Sequence, residues 1–349
     1  MLGQRVIALL AAAPLGGAVA GCTALWGVDE LGCAGPDTGS TSSGGGAGSG
    51  GTGGTGGTGG SGAKGGSGGG GGAGGAPCEL GSFGPASLLT ELSSTGSDWD
   101  PAISAGDLTI VWSSNRSGGL GQADIWFANR DAAAAPFGAP NNLGAVNSTY
   151  GDMDPELSPD ELTIFWAVGT PNGTGDMDIW YATRTALSQP FGTAAELPGV
   201  NSSYEDRDPA LSVDGLTLFF ASTRPGGPGS RDIWTAKRSS LGAPFGAAQL
   251  VAAINTDEPE ANPSLSSDGL TLFYDSSMPG GFGSRDIWFV ARATPNGTFG
   301  TPQNVGLPNT GDVDSDPAIS ADGRTLYFAS NRPGGAGNSD LWQAQRSCE

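Results

Sequence analysis

Apolar and polar positions in this chain recur with a period of 54 residues, without insertion or deletion. Asp-Pro, or Asn-Pro once, falls at Asp100, Asp154, Asp208, Asn262 and Asp316, and Asp-Ile-Trp, or Asp-Leu-Trp once, begins at Asp124, Asp178, Asp232, Asp286 and Asp340. One unit begins Asp208-Pro-Ala-Leu, a short apolar strand that meets the tight-turn pair Asp214-Gly215. Leu216 to Ser222 is almost continuously apolar, as a strand covered on both faces should be. A Gly/Pro loop follows, then Asp232-Ile-Trp-Thr-Ala-Lys as a third strand. Pro244-Phe-Gly opens a fourth strand, running to Val251, Ile254 and Asn255. Four short strands per unit, in units that cannot each bury a core alone, predict stacked propeller blades. The expected fold is all-β: a five-bladed β-propeller of four-stranded blades over residues 78–349.

The unit Asp316-Pro-Ala-Ile-Ser-Ala-Asp-Gly-Arg-Thr-Leu-Tyr-Phe-Ala-Ser-Asn-Arg-Pro-Gly-Gly, continued by Asp340-Leu-Trp, resembles the TolB-type, WD-like propeller repeat, and does so over residues 83–346. The resemblance implies a propeller with the first strand of each blade innermost. It also implies a partner-binding platform, often periplasmic, with no common catalytic residue. The sequence Ser-x-Asp-Gly-x-Thr is also similar to the sialidase Asp-box but lacks that motif's residue between Asp and Gly, so no sialidase chemistry is carried over.

Ring closure is legible as well. Ser82-Phe83-Gly84 lies 54 residues before Pro136-Phe137-Gly138, so the chain opens with a fourth-strand sequence, Phe83 to Ser93. The fifth unit stops after its third strand, at Gln345, and the N-terminal strand is expected to complete that last blade. Cys78 and Cys348 both map onto the repeat position of Ala132, in the loop joining third and fourth strands. A Cys78–Cys348 disulfide would replace the loop that blade five lacks, and an exported protein permits it.

Ahead of the repeats, residues 34–77 are almost wholly Gly, Ser, Thr and Ala, a composition too polar and too small to fold. As a flexible coil, residues 22–77 form a tether whose low-complexity core spans roughly 35–40 Å root-mean-square. Residues 1–21 read as a signal peptide: Arg5, an apolar run from Val6 to Val19, then Val19-Ala20-Gly21-Cys22. That ending resembles the lipobox of bacterial lipoproteins, with Val19 where Leu is commoner. The resemblance implies lipidation of Cys22, hence attachment to a membrane through the anchor. Thr23 after the Cys resembles the outer-membrane sorting rule of Gram-negative lipoproteins. Cys33 is then left over in the tether; without lipidation, a Cys22–Cys33 bond is the alternative.

The formal charge of −20 argues against nucleic acid, whose phosphates need a basic patch. The absence of His removes Ser-His and Cys-His nucleophiles and most catalytic zinc sites. The Trp column (Trp126, Trp180, Trp234, Trp288, Trp342) reads as packing between blades, with carbohydrate stacking as the alternative. Two residues before each Asx-Pro sits Asp98, Asp152, Asp206, Glu260 or Asp314. Together with Asp100, Asp154, Asp208, Asn262 and Asp316 these are expected around the channel mouth. Hard oxygen ligands of this kind suit Ca²⁺, no other cofactor being indicated. The alternative is that each Asp caps its own turn. Arg116, Arg224 and Arg332 recur nearby and can neutralise part of the charge, while Thr170 and Met278 break that column. Departures from the repeat are the better pointers to binding: Glu205, Arg207, Asp257, Glu258, Asp275 and Asp312. Asp275 either has a partner, because an unpaired buried carboxylate is costly, or ends a strand in solvent.

Two binding or catalytic functions compete, beside a third reading as a structural envelope protein with no soluble ligand. One is a non-catalytic platform, expected to be monomeric, that binds an envelope protein or a glycan. The other is a glycosidase with paired channel-mouth carboxylates, since five-bladed propellers host furanosidase-type enzymes. Near-fivefold repetition argues against the second, because equivalent blades give equivalent environments and an acid–base pair needs unequal ones.

Overall fold

The computed structural model describes residues 80–169 and 173–348. The expected signal peptide and tether, with Cys22, Cys33 and Cys78, lie outside the described residues, as does Thr170. Five four-stranded antiparallel sheets surround a central channel. Blade three shows the plan: inner strand Asp206–Leu211, then Thr217–Ser222, Asp232–Lys237 and outer strand Gln249–Leu250. The other blades follow at the repeat spacing. Blade five consists of Asp314–Ile319, Thr325–Ser330, Asp340–Gln345 and the N-terminal strand Ser87–Leu88.

The inner strand starts two residues earlier than its sequence suggests, because Asx-Pro is a bulge inside it. Pairing runs Asp206 to Ser222 and Arg207 to Ala221, then jumps to Ala210 with Phe219. Pro cannot donate to a ladder and is at home on an edge strand or in a bulge. The residue before it adopts left-handed φ in every blade, from 49° at Asp100 to 56° at Asp154 and Asp316. Asp and Asn tolerate that conformation better than other non-glycine residues. The outer strand is shorter than expected, two residues in each blade. Beyond it a side chain takes over the pairing: Asn255 accepts from Ile233 N–H and donates to Ile233 C=O, at 2.7 and 2.9 Å.

Between blades the core is apolar and aromatic. Trp126, Trp234, Trp288 and Trp342 are buried and Trp180 is partly buried, each within a cluster that spans two blades. The Trp column therefore serves packing. The Gly-Gly pair of the preceding loop is demanded by this arrangement: Gly226 has φ of 121° against the Trp234 ring, and a Cβ on Gly227 would fall 2.0 Å from the Asp232 carboxylate. At the end of each third strand an Arg lies over the Phe of the Phe-Gly pair, at 4.3 Å for Arg130 on Phe137.

The closing blade reproduces this latch with residues from opposite ends of the chain. Arg346 lies 4.5 Å from the Phe83 ring centroid, Ser87 pairs with Gln343, and Gly84 N–H donates to Gln345 C=O at 2.8 Å. Leu80 forms a further bridge with Cys348. We expect Phe83→Ala, which removes the buried ring from this latch, to cost about 3–5 kcal/mol in chemical denaturation. Mapping of non-reduced peptides is expected to find Cys78 joined to Cys348, and Cys78→Ser to lower the thermal midpoint while leaving the β-sheet circular dichroism intact.

Candidate functional site

The two acidic columns, adjacent in sequence, separate in space. Asp98, Asp152, Asp206, Glu260 and Asp314 are fully buried at the start of the inner strands, and their oxygens are taken up by their own turns. Asp152 accepts from Ser148 N–H and Oγ at 2.6 and 2.9 Å, and from Trp166 Nε1 at 3.1 Å. Asp206 and Asp314 receive the same paired bonds from Ser202 and Thr310, and Asp98 from Ser94. In three blades a guanidinium completes the set, Arg116 to Asp98, Arg224 to Asp206 and Arg332 to Asp314. Blade four has Met278 instead of Arg, and there Glu260 reaches Thr256 and Ser276. Burial pushes Glu260 up to about 7. These carboxylates stand back from the channel wall and act as turn anchors, against the expectation that they share its mouth.

The Asx-Pro column does line the channel. Its carboxylates join neighbouring blades. Asp100 accepts from Asp154 N–H, Asp316 from Asp100 N–H, and Asp208 from Asn262 N–H, at 3.3, 3.3 and 3.1 Å. Asp275, whose second-strand position holds Ser or Ala in the other blades, belongs to this ring. Its carboxylate is buried, receives Asn262 Nδ2 at 2.7 Å and Asp316 N–H at 3.0 Å, and lies 3.2 Å from Arg285 Nε. Asp275 thus has the partners that its burial requires. Arg207 is the other off-repeat member and bridges Asp154 and Asp208, at 2.8 Å to each.

Five carboxylates (Asp100, Asp154, Asp208, Asp275, Asp316) therefore share the directly paired guanidinium groups of Arg207 and Arg285, the more distant Arg231 and the neutral Asn262. They cannot all ionise. Burial, then the charge of Asp316, pushes Asp100 up to about 7. Burial and Asp275 do the same to Asp316, also to about 7. Burial drives Asp154 well above the usual carboxylate range and raises Asp275 despite Arg285. Burial also acts upward on Asp208, but Arg207 and Arg231 outweigh it and hold Asp208 low.

Glu156 was not singled out in the sequence, although the repeat points to it: the same position holds Ala102, Ala210, Ser264 and Ala318. It is half-buried on the channel wall, accepts from Leu211 N–H at 3.0 Å, and is pushed up by burial to about 8. The remaining off-repeat residues sit on the face formed by the Gly/Pro loops and the blade-to-blade loops. Glu205 pairs with Arg231 at 2.6 Å, Glu258 accepts weakly from Ser277, and Asp312 is half-buried beside its turn. The repeat position of Glu258 and Asp312 is occupied in blades two and three by the exposed Tyr150 and Tyr204.

Among the described residues no group of three or more His, Cys, Asp or Glu side chains is arranged to hold a metal ion. The ring is cross-linked by backbone N–H groups and guanidiniums instead.

No protein-family profile matches the chain, and no curated protein does. Solved structures similar to it are propellers. TolB from Acinetobacter baumannii is 18% identical with a TM-score of 0.44, over 74% of this chain and 57% of that chain. The α-L-arabinofuranosidase PaAbf62A from Podospora anserina is 11% identical at 0.49, over 77% and 97%. An endo-arabinase from Bacteroides thetaiotaomicron is 14% identical at 0.49, over 75% and 97%. At such identities the likeness extends to the fold alone.

The raised carboxylates set a pH dependence. Asp100 and Asp316 hold protons in the folded state up to about 7 that the unfolded chain releases near its ordinary 3.8. The folded state then binds more protons across that window, so their contribution to stability is complete below it and is lost as pH rises to about 7. Asp100→Asn copies Asn262. It is expected to raise the thermal midpoint at pH 8 by a few degrees and leave it nearly unchanged at pH 4.5, in melts at both values.

Proposed function

We propose that this protein is an exported, lipid-anchored propeller that acts as a non-catalytic binding platform at the cell envelope, presenting its Gly-loop face to a protein or a glycan. One observation carries the reading. The repeated carboxylates are engaged within the fold, whereas the exposed aromatic side chains Tyr150, Tyr204 and Phe282, which break the repeat, lie on that face. Tyr150 and Tyr204 there are 39% and 44% exposed, and Leu120 and Phe282 of the neighbouring loops are more so. Aromatic side chains with a polar tip suit both protein and sugar partners. The lipobox-like Cys22 and the tether support the anchoring. The glycosidase alternative needs two carboxylates of unequal acidity flanking a bound sugar. The channel cavity is about 130 Å³, below the roughly 300–1,000 Å³ of small-molecule sites, and its carboxylates are tied to backbone and Arg.

Three measurements test this. Fatty-acid labelling is expected in the full chain and is lost in Cys22→Ala, which moves to the soluble fraction. Affinity capture of envelope material, alongside a glycan array, is expected to find a ligand that the Tyr150→Ala/Tyr204→Ala double variant loses at least tenfold. Reducing-sugar release from arabinan or xylan by the wild-type chain would instead establish the enzyme.

A further inference from the structure

The central channel is a site of a different kind from the loop face. At the hairpin end its mouth is formed by Ala105, Pro159, Val213, Ser267 and Ala321, with Val213 53% exposed. At the other end Asp154, Asp208 and Asp316 are buried and Arg207 crosses between the first two. The cavity is thus entered from the hairpin face and ends on carboxylates. Its wall is the free edge of five inner strands, each carrying a Pro with no N–H, so acceptors outnumber donors along it. Glu156 is the one wall carboxylate that departs from the repeat.

Two oxygens show that this end is under-supplied with donors. Asp154 is 4% exposed and lines the channel, and no N–H or hydroxyl reaches its Oδ2, which is left with only a proton shared with the Asp208 carboxyl. Buried Asp275 Oδ1 has no hydrogen bond either, only the ion pair to Arg285. A buried acceptor left without a donor is costly, and a carboxylate more so. The rim adds attraction. Asp160, Asp214, Asp268 and Asp322 stand exposed at the hairpin tips, each using one oxygen for its own turn. The arginines of this face, such as Arg184 and Arg238, are engaged with Phe191 and Phe245 in the segments leading to the outer strands.

The guest must therefore be cationic, rich in donors and slender. At about 130 Å³ the cavity is small and suits a short unbranched chain better than a sugar ring with its substituents. We propose that the channel binds a primary alkylammonium group, entering from the hairpin face with its ammonium between Glu156 and Oδ2 of Asp154. That chemistry is shared by free linear amines and by a lysine side chain of a partner. The site faces away from the proposed platform surface and does not depend on it.

Calorimetry on the full chain in detergent tests this, with n-pentylamine as probe and n-pentanol as its uncharged match. Pentylamine is expected to bind at least tenfold more tightly than pentanol. Glu156→Ala copies Ala102, Ala210 and Ala318, and Asp154→Asn copies Asn262, so both variants are expected to fold, as a melt would verify; each should weaken pentylamine at least fivefold. Nα-acetyl-lysine N-methylamide and 1,5-diaminopentane distinguish the sources: tighter binding of the first indicates a lysine-bearing partner, of the second a free amine. No binding of pentylamine, equal binding of pentanol, full affinity in both variants, or a response to calcium chloride alone would overturn the proposal.

Discussion

The Asx-Pro bulge of the inner strand is the feature on which the rest depends. It places one residue of each blade in a left-handed conformation and brings its side chain to the channel wall. From there the carboxylate accepts a backbone N–H of the next blade, as Asp100 does from Asp154 and Asp316 from Asp100. A propeller blade has no core of its own, so contacts between blades are what fold it. The bulge supplies a polar contact at the axis, where the sheets converge and apolar packing has least room. Farther out the Trp column and the Arg–Phe stacks fill the widening wedge between blades.

The same device concentrates negative charge. Five acidic side chains meet where three guanidiniums, Arg207, Arg231 and Arg285, act on them, and burial deprives them of water. The molecule answers with protons, with Asn262 in place of a fifth repeat Asp, with Arg207 at a position where the other blades carry no cation, and with Arg285, whose position holds a cation elsewhere only as Arg231 of blade three. Those substitutions are where the fivefold symmetry breaks. The channel end is consequently uneven: Asp208 is held ionised by Arg207 and Arg231, while Asp154 beside it keeps its proton to higher pH. Inequality of this sort is also what acid–base catalysis requires. Here it is accompanied by cross-linking hydrogen bonds and a narrow cavity, which favour binding of a slender guest over chemistry on a sugar.

Ring closure ties the ends of the repeat array together. A linear array would expose the apolar faces of its first and last blades. Supplying the last blade's outer strand from residues 87–88 completes the sheet of blade five with the segment that leads directly into blade one. The Arg346–Phe83 stack shows that the join is built from the same parts as the internal latches, with the covalent chain replaced by long-range contact.

Much of this was legible in the chain. The number of blades, the order of strands, the closing strand and the packing role of the Trp column follow from a 54-residue period and from local turn residues, which are properties of sequence neighbours. For Asp275 the sequence left a partnered buried carboxylate and an exposed strand end both open, and the structure shows the first. What could not be read was which of two Asp columns, separated by a single residue, reaches the channel. Strict alternation puts both on one face of a strand; the bulge between them breaks the alternation and sends one into its own turn and the other to the axis. Nor could the chain identify Asn262 and Arg285 as the companions of Asp275, or Glu156 as a wall carboxylate. Asn262 and Arg285 reach Asp275 across paired strands of blade four, and Glu156 meets Leu211 of the next blade, so strand pairing and blade packing bring these residues together rather than sequence adjacency.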